Sequence, residues 1–262
     1  MLESLGFSYN GIHSEDLGVK LVTTKSGLFS ENFLPERSIV EKKISRNDKP
    51  YFTRVEHSPL SFSLVLFIEK WRDYNNLRAI ARWLFQDYYK PLIFDSNPNH
   101  IFYAIPEGQS NLVHNGCRDG YIEIDFRCDS PYSYSDIRET WLNVTNSSSF
   151  YLYNEGDIPV KPNFKFKKIG KGDIRVKDTL TGETMILKDI RDGEIVTING
   201  RREEIISSAQ EFNRYLYDNH NDVWLEIEAD TQTEFELYGS FECSIYLEFA
   251  YLNMDSLNFD YF

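Results

Sequence analysis

The sequence predicts a mainly β protein of two domains with a single helix. Three observations predict it. Phe and Tyr dominate an aromatic content of 15%, a balance typical of chains that pack sheets rather than helices. The second half is a ladder of short alternating runs separated by turn residues, and one stretch alone carries helical spacing. At 262 residues the chain is long enough for two ordinary domains, each burying its own core.

The elements follow in order. Phe7 and Tyr9 alternate into Asn10-Gly11, a hairpin turn signal because both residues tolerate positive φ, and Leu17-Gly18-Val19 leads into Leu21 and Val22, so a strand, a turn and a strand are expected. Residues 38–51 are polar and charged and lead through Phe52 and Val55 into the apolar run Leu60 to Phe67. This reads as one polar arm against one buried strand. Such an arm buries too little apolar surface to offset its ordering entropy and needs a neighbour, which a second subunit would supply. Asp73 caps the one helix, which runs to about Phe85 with Leu77, Ile80, Ala81 and Leu84 as its apolar stripe. Arg78 and Arg82 lie beside that stripe as solvated stems.

Strands are expected at Pro91 to Phe94, Ile101 to Ile105, Asn111 to His114 and, after Asp119-Gly120, Tyr121 to Cys128. The pattern breaks at Asp129-Ser130-Pro131-Tyr132, because proline cannot donate to a central ladder. A boundary near Ser135 follows, with domains assigned to residues 1–137 and 138–262. Asn143 to Ser149 reads as a linker-like polar run of turns. Beyond it, strands are expected at Phe150–Tyr153, Asn163–Lys167, Asp173–Lys177, Glu183–Leu187, Glu194–Ile198, Glu203–Ile206, Val223–Ile227, Glu234–Tyr238 and Ser244–Tyr251, a spacing that fits an antiparallel sandwich.

Charge and chemistry narrow the function. The net charge is −13. A cut after residue 137 leaves 15 basic and 18 acidic residues before it (−3) and 13 and 23 after it (−10), which argues against direct nucleic-acid binding. No run is long and apolar enough to span a membrane, and residues 1–9 have no leader character, so the chain is expected to stay where it is made. The cysteines Cys117, Cys128 and Cys243 lack metal-type spacing and read as reduced core thiols. His13, His57, His100, His114 and His220 are scattered, and no nucleophile elbow, phosphate loop or dinucleotide-binding pattern occurs. Neither a metal, a cofactor nor an enzyme activity is expected. Acidic pairs such as Glu203-Glu204 read as solvated strand faces. Trp141, Tyr151, Tyr153 and Trp224 are the aromatic residues able to stack on sugars, but the larger weight falls on core packing.

Three ordered motifs carry a resemblance. Phe7-Ser8-Tyr9-Asn10-Gly11 with Ser14 and Leu17-Gly18-Val19, then Ile124-Asp125-Phe126-Arg127-Cys128-Asp129-Ser130-Pro131-Tyr132, then Asn154-Glu155-Gly156-Asp157 with Pro162, resemble the distal tail proteins of siphophages that infect Gram-positive bacteria. The resemblance spans nearly the whole chain. It implies an N-terminal β-sandwich with one α-helix and a long β-hairpin arm, followed by a C-terminal galectin-like, carbohydrate-binding-module-like β-sandwich. It implies a homohexameric ring at the virion tail tip, assembled in the host cytoplasm, that joins the tail tube protein to the tail-tip protein and to receptor-binding or baseplate proteins. On this reading Arg37, Ser38, Glu41, Lys42, Lys43, Arg46, Tyr51 and Phe52 form the oligomer arm, and the last residues pack back on the first domain. The alternative is a cell-wall carbohydrate-binding protein acting through the C-terminal sandwich, with Trp224, Tyr151 and Tyr153 as contacts, although no defined sugar-binding motif accompanies them.

Overall fold

A computed structural model of the chain describes residues 6–22, 35–114, 120–209 and 216–252. Cys117, Arg118, Asp119 and the aromatic tail residues Phe259, Tyr261 and Phe262 lie outside the described residues. The fold is mainly β, as the patterning predicts, and divides into two compact units: residues 1–135 with 251–262, and residues 136–250.

In the first unit, strand β1 (Phe7–Tyr9) turns through Asn10 (φ 51°) and Gly11 (φ 74°) into β2 (Ile12–His13). Two successive left-handed residues match the twist of a hairpin, so the Asn-Gly signal is realised. The next strand departs from the expected arrangement. A short 3₁₀ turn over Ser14–Leu17 ends at Gly18, whose φ of 65° redirects the chain, and β3 (Val19–Val22) pairs with β6 (Ser61–Ile68) instead. Between them lie β4 (Arg37–Lys42) and β5 (Tyr51–His57), a separate two-stranded ribbon. Helix α1 (Tyr74–Leu84) follows, then β7 (Lys90–Phe94), β8 (Asn97–His114), β9 (Gly120–Cys128) and β10 (Ser133–Tyr134). The main sheet runs β2-β1-β7-β8-β9-β6-β3, and β10 pairs with β8. The two strands expected at Ile101 and Asn111 are one strand of 18 residues, continuous through a register shift between Glu107 and Asn111 where Gly108 has φ 76°.

Helix α1 is capped as the sequence predicts: the Asp73 carboxylate accepts from the Asn75 backbone N–H at 2.9 Å. Its buried face is Ile80, Trp83 and Leu84, so Trp83 takes the place expected for Ala81, which is exposed. The reason is the partner surface. Trp83 donates its indole N–H to the Tyr9 carbonyl at 2.8 Å, stacks on Phe7 at 5.6 Å and meets Tyr9 edge-on at 6.1 Å. Tyr9 in turn meets Phe126 edge-on at 5.4 Å. One helix is thereby locked to the β1 strand by a large ring whose polar atom is satisfied.

The second unit contains β11 (Arg138–Val144), β12 (Ser147–Asn154), β13 (Asn163–Lys168), β14 (Gly172–Asp178), β15 (Thr184–Ile190), β16 (Ile195–Asn199), β17 (Glu204–Ser207), β18 (Thr231–Tyr238) and β19 (Phe241–Leu247). They form two antiparallel sheets, β11-β19-β13-β16-β17 and β12-β18-β14-β15. Most of the strands alternate buried with more exposed residues, for instance Phe164 and Phe166 in β13 and Phe235 and Leu237 in β18, which is the pattern of two sheets sharing one core. Asn143 to Ser149 is not a linker. It is the close of β11 and the start of β12, joined at Thr145-Asn146 with Asn146 at φ 66°. Val223–Ile227 is not a strand either, and contributes one bridge, Ile227 to Val160, with Leu225 and Ile227 buried. The short closing strand β20 (Ala250–Tyr251) ends at Tyr251, which belongs to the first unit and stacks on His100 at 4.5 Å.

Asn154, in the third motif of the resemblance, is fully buried. Its side-chain amide donates to the carbonyls of Ile158 (2.9 Å), Ile227 (3.1 Å) and Glu228 (3.1 Å) and accepts from the Gly156 N–H (2.9 Å). It ties the strand-poor 223–228 segment to the end of β12.

Two outcomes follow from this core. Trp83→Ala leaves a cavity and removes the indole hydrogen bond to the Tyr9 carbonyl, and is expected to cost about 3–5 kcal/mol in denaturant unfolding of the first unit; a loss below about 1 kcal/mol contradicts the locking role. Burial pushes the Cys128 thiol up to about 12 and raises that of Cys243 as well, so neither forms thiolate near neutrality. Iodoacetamide at pH 8 followed by peptide mapping should find both unmodified in the native protein and both modified in denaturant.

Candidate interaction surface

The ribbon β4–β5 is the one two-stranded sheet among the described residues. Its register pairs Arg37 with His57, Ser38 with Glu56, Ile39 with Val55 and Val40 with Arg54, then shifts so that Glu41 faces Phe52 and Lys42 faces Tyr51. Directly opposed residues share a face and neighbours along a strand alternate. Counted along β4, which has no extra residue, Ile39, Val55, Glu41 and Phe52 therefore lie on one face, and Val40, Arg54, Glu56, Lys42 and Tyr51 on the other.

The base of the ribbon is closed by the Ser58 N–H donating to the Glu36 carbonyl at 2.9 Å, and His57 lies 6.5 Å from Tyr132, centroid to centroid. At the tip, Arg46 adopts φ 67° and the Asn47 N–H donates to the Ile44 carbonyl at 3.1 Å. Arg54 pairs with Glu56 along its strand.

The expected arm residues are all here: Arg37, Ser38, Glu41 and Lys42 on β4, Lys43 and Arg46 in the connection, Tyr51 and Phe52 on β5. All are exposed. What polar composition concealed is an apolar content left exposed among the described residues. Ile39 is 65% exposed, Phe52 66% and Tyr51 57%, with Ile44 and Val55 also open to solvent. The available signal was the presence of five apolar or aromatic residues in an arm that has no core.

Charge sets the ribbon apart as well. Residues 37–57 hold six basic and three acidic side chains, a balance of +3, which leaves −16 on the rest of a chain of −13. A positive ribbon on an acidic body is complementary to a second copy of that body.

The other expected contacts are not brought together. Tyr151 and Tyr153 share the outer face of β12, and the Tyr153 hydroxyl bonds to Asp230. Trp224 sits by the opposite edge of the same sheet, 4.8 Å from His220, which bridges Leu187 of β15. The core weighting for Tyr151, Tyr153 and Trp141 is corrected: all three are exposed, because Phe150 and Leu152, on the alternate face of β12, and Val144, in β11, take the buried positions. Among the described residues, no three His, Cys, Asp or Glu side chains converge to hold a metal.

Comparison with known proteins bears on this arrangement. Residues 2–130 match a family described as the phage tail protein N-terminal domain, and residues 132–251 match one described as the phage tail C-terminal domain. The chain is 33% identical over 252 residues to an SPbeta prophage-derived uncharacterized protein, YomH, of Bacillus subtilis strain 168, covering 95% of this chain and 98% of that protein. Its fold is similar to that of the Dit protein of phage SPP1, with a TM-score of 0.68 at 13% identity over 94% of this chain and all of that one. That protein is described as a paradigm of the hub adsorption apparatus in phages that infect Gram-positive bacteria. A chain of the phage P2 baseplate aligns with a TM-score of 0.50 at 8% identity, over 95% of this chain and 98% of that one.

Proposed function

Since the chain belongs to the phage tail protein family and has a Dit-like fold, we propose that it is the structural hub of a tail tip: six copies in a ring, each laying its ribbon on the next copy. The observation that carries this is the exposed ribbon of residues 37–57, with Ile39, Val55 and Phe52 on one face and a +3 charge on an otherwise acidic chain.

A two-stranded ribbon is marginal alone, and covering one face with another sheet supplies the missing layer. A head-to-tail contact uses two different patches, ribbon and body, and closes into a ring when its rotation allows. The ring would continue the tail tube at the virion tail tip, after assembly in the host cytoplasm, with the tail-tip protein on its axis. The second unit, a galectin-like sandwich in this reading, would stand outside the ring and hold receptor-binding or baseplate proteins. The hub described for the SPP1 Dit protein supports the reading by fold.

The double variant Ile39→Asp/Val55→Asp places two charges on the ribbon face. Fully burying an Ile or Val is worth about 1.5–3 kcal/mol each, so assembly should weaken by about 100-fold or more in sedimentation, with an unchanged melting profile. A double variant that sediments like the unaltered chain, or an unaltered chain that sediments only as a 30.8 kDa species, contradicts the proposal.

A further inference from the structure

One sheet edge of the second unit is unlike the others. Among the described residues its two sheets end on β11 and β17 in one and on β12 and β15 in the other. Three of these edges are blunted. Strand β17 is four residues long and begins at Glu204, directly after Glu203. Strand β11 opens on Arg138 and Glu139. Strand β15 is closed by side chains, Asn221 bonding to Ile186 and Thr184 and Asn219 to Lys188. Short, charged and covered edges are the ordinary protections against strand addition. Strand β12 has none of them: it runs for eight residues, Ser147–Asn154, with no charge and no proline, and its register with β18 is unbroken.

The register also places its outward backbone groups. In an antiparallel ladder, residues that exchange hydrogen bonds with one neighbour alternate with residues whose N–H and C=O point the other way. Tyr151 stands opposite Glu234, and the Glu234 carbonyl is turned away from it, accepting from the Thr179 N–H at 3.0 Å just past the end of β14. At the turn, the Gly239 N–H donates to the Asn146 carbonyl at 2.8 Å, which sets the same phase. The pairs that bond β12 to β18 are therefore Ser148 with Leu237, Phe150 with Phe235 and Leu152 with Thr233. Ser149, Tyr151 and Tyr153, every second residue, turn their N–H and C=O groups to the open edge.

An occupant of this edge must be extended, must approach an acidic surface, and must meet a row of uncharged residues. Strand β12 of a second copy satisfies all three. Residues 138–262 carry 13 basic and 23 acidic side chains, a balance of −10, so two copies repel over most of this half; β12 brings no charge to the contact, and like charges facing each other across strands are what destabilise a pairing. Antiparallel pairing centred on Tyr151 sets Tyr151 opposite Tyr151 of the second copy and Ser149 opposite its Tyr153. The outward groups of both strands are then satisfied by one self-complementary patch, which is what a two-fold contact requires. The Tyr151 ring, 61% exposed in the single chain, gains its counterpart as a cross-strand neighbour. We propose that β12 is a homotypic pairing edge, which joins the outer sheets of two second units into one continuous sheet.

This contact is separate from the ribbon, and the Ile39→Asp/Val55→Asp chain isolates it. A single ladder is small for a stable interface, so pairing is expected at chain concentrations on the order of 10–100 µM. Across that range the double variant should pass in sedimentation from 30.8 kDa to twice that mass, and hydrogen exchange of peptides spanning residues 147–154 should slow. Tyr151→Pro removes the central donor at an edge position that gives no bond to β18; added to the double variant, it should leave the melting profile unchanged and weaken pairing about tenfold or more. Tyr151→Lys, which sets two ammonium groups face to face, should weaken it as well. A double variant that stays at 30.8 kDa throughout, exchange in 147–154 that does not depend on concentration, or a dimer that both Tyr151 variants leave intact overturns the proposal. A double variant that keeps the sedimentation of the unaltered chain counts against the ring and not against this edge. Tyr151→Pro in that background then decides: a loss of mass supports the pairing, and no change overturns it.

Discussion

Ordering a chain segment costs about 1–2 kcal/mol per residue in backbone entropy, and the ribbon of residues 37–57 meets that cost with two hydrogen-bonded strands and, among the described residues, no third strand. Its apolar side chains Ile39, Tyr51 and Phe52 face solvent. The same chain builds well-filled cores on either side of it in sequence, so the exposure is local and not a sign of poor packing. Uncovered apolar surface of this kind is characteristic of binding faces, in keeping with the proposed contact between copies. The Ser58 to Glu36 bond closes the base of the ribbon, and the neighbouring strand β6 is anchored on both sides, by β3 and β9.

Trp83 fastens helix α1 to β1, and β1 continues through β7 and β8 into the centre of the sheet. In the second unit, the open edge of β15 is closed by side chains instead of a strand. The Asn221 amide both accepts from the Ile186 N–H and donates to the Thr184 carbonyl, and Asn219 donates to the Lys188 carbonyl. Satisfying an edge in this way blocks unwanted pairing, which leaves the outer sheet face as the accessible surface of that side.

Much of this was legible in the residues. Alternation marks strands wherever one face is buried, as in Phe164 and Phe166 or Ile174 and Val176, and Asp73 announces the helix by its capping chemistry. Failures occurred where long-range partners decide. Nothing local distinguishes Trp83 from Ala81 until β1 offers its carbonyl and rings. The polar run Asn143 to Ser149 becomes strand because β18 and β19 pair with it, and Val223–Ile227 is held by Asn154 rather than by a ladder. The arm was readable from its charges, but its apolar face needed the register of Ile39 against Val55.

The central claim is that the ribbon completes itself on another copy, and electron imaging of the purified, unaltered chain tests it most directly. The account predicts six-fold rings around an open channel, with the density of each ribbon lying on the neighbouring copy. Single 30.8 kDa particles, or rings in which every ribbon folds back on its own chain, would contradict it.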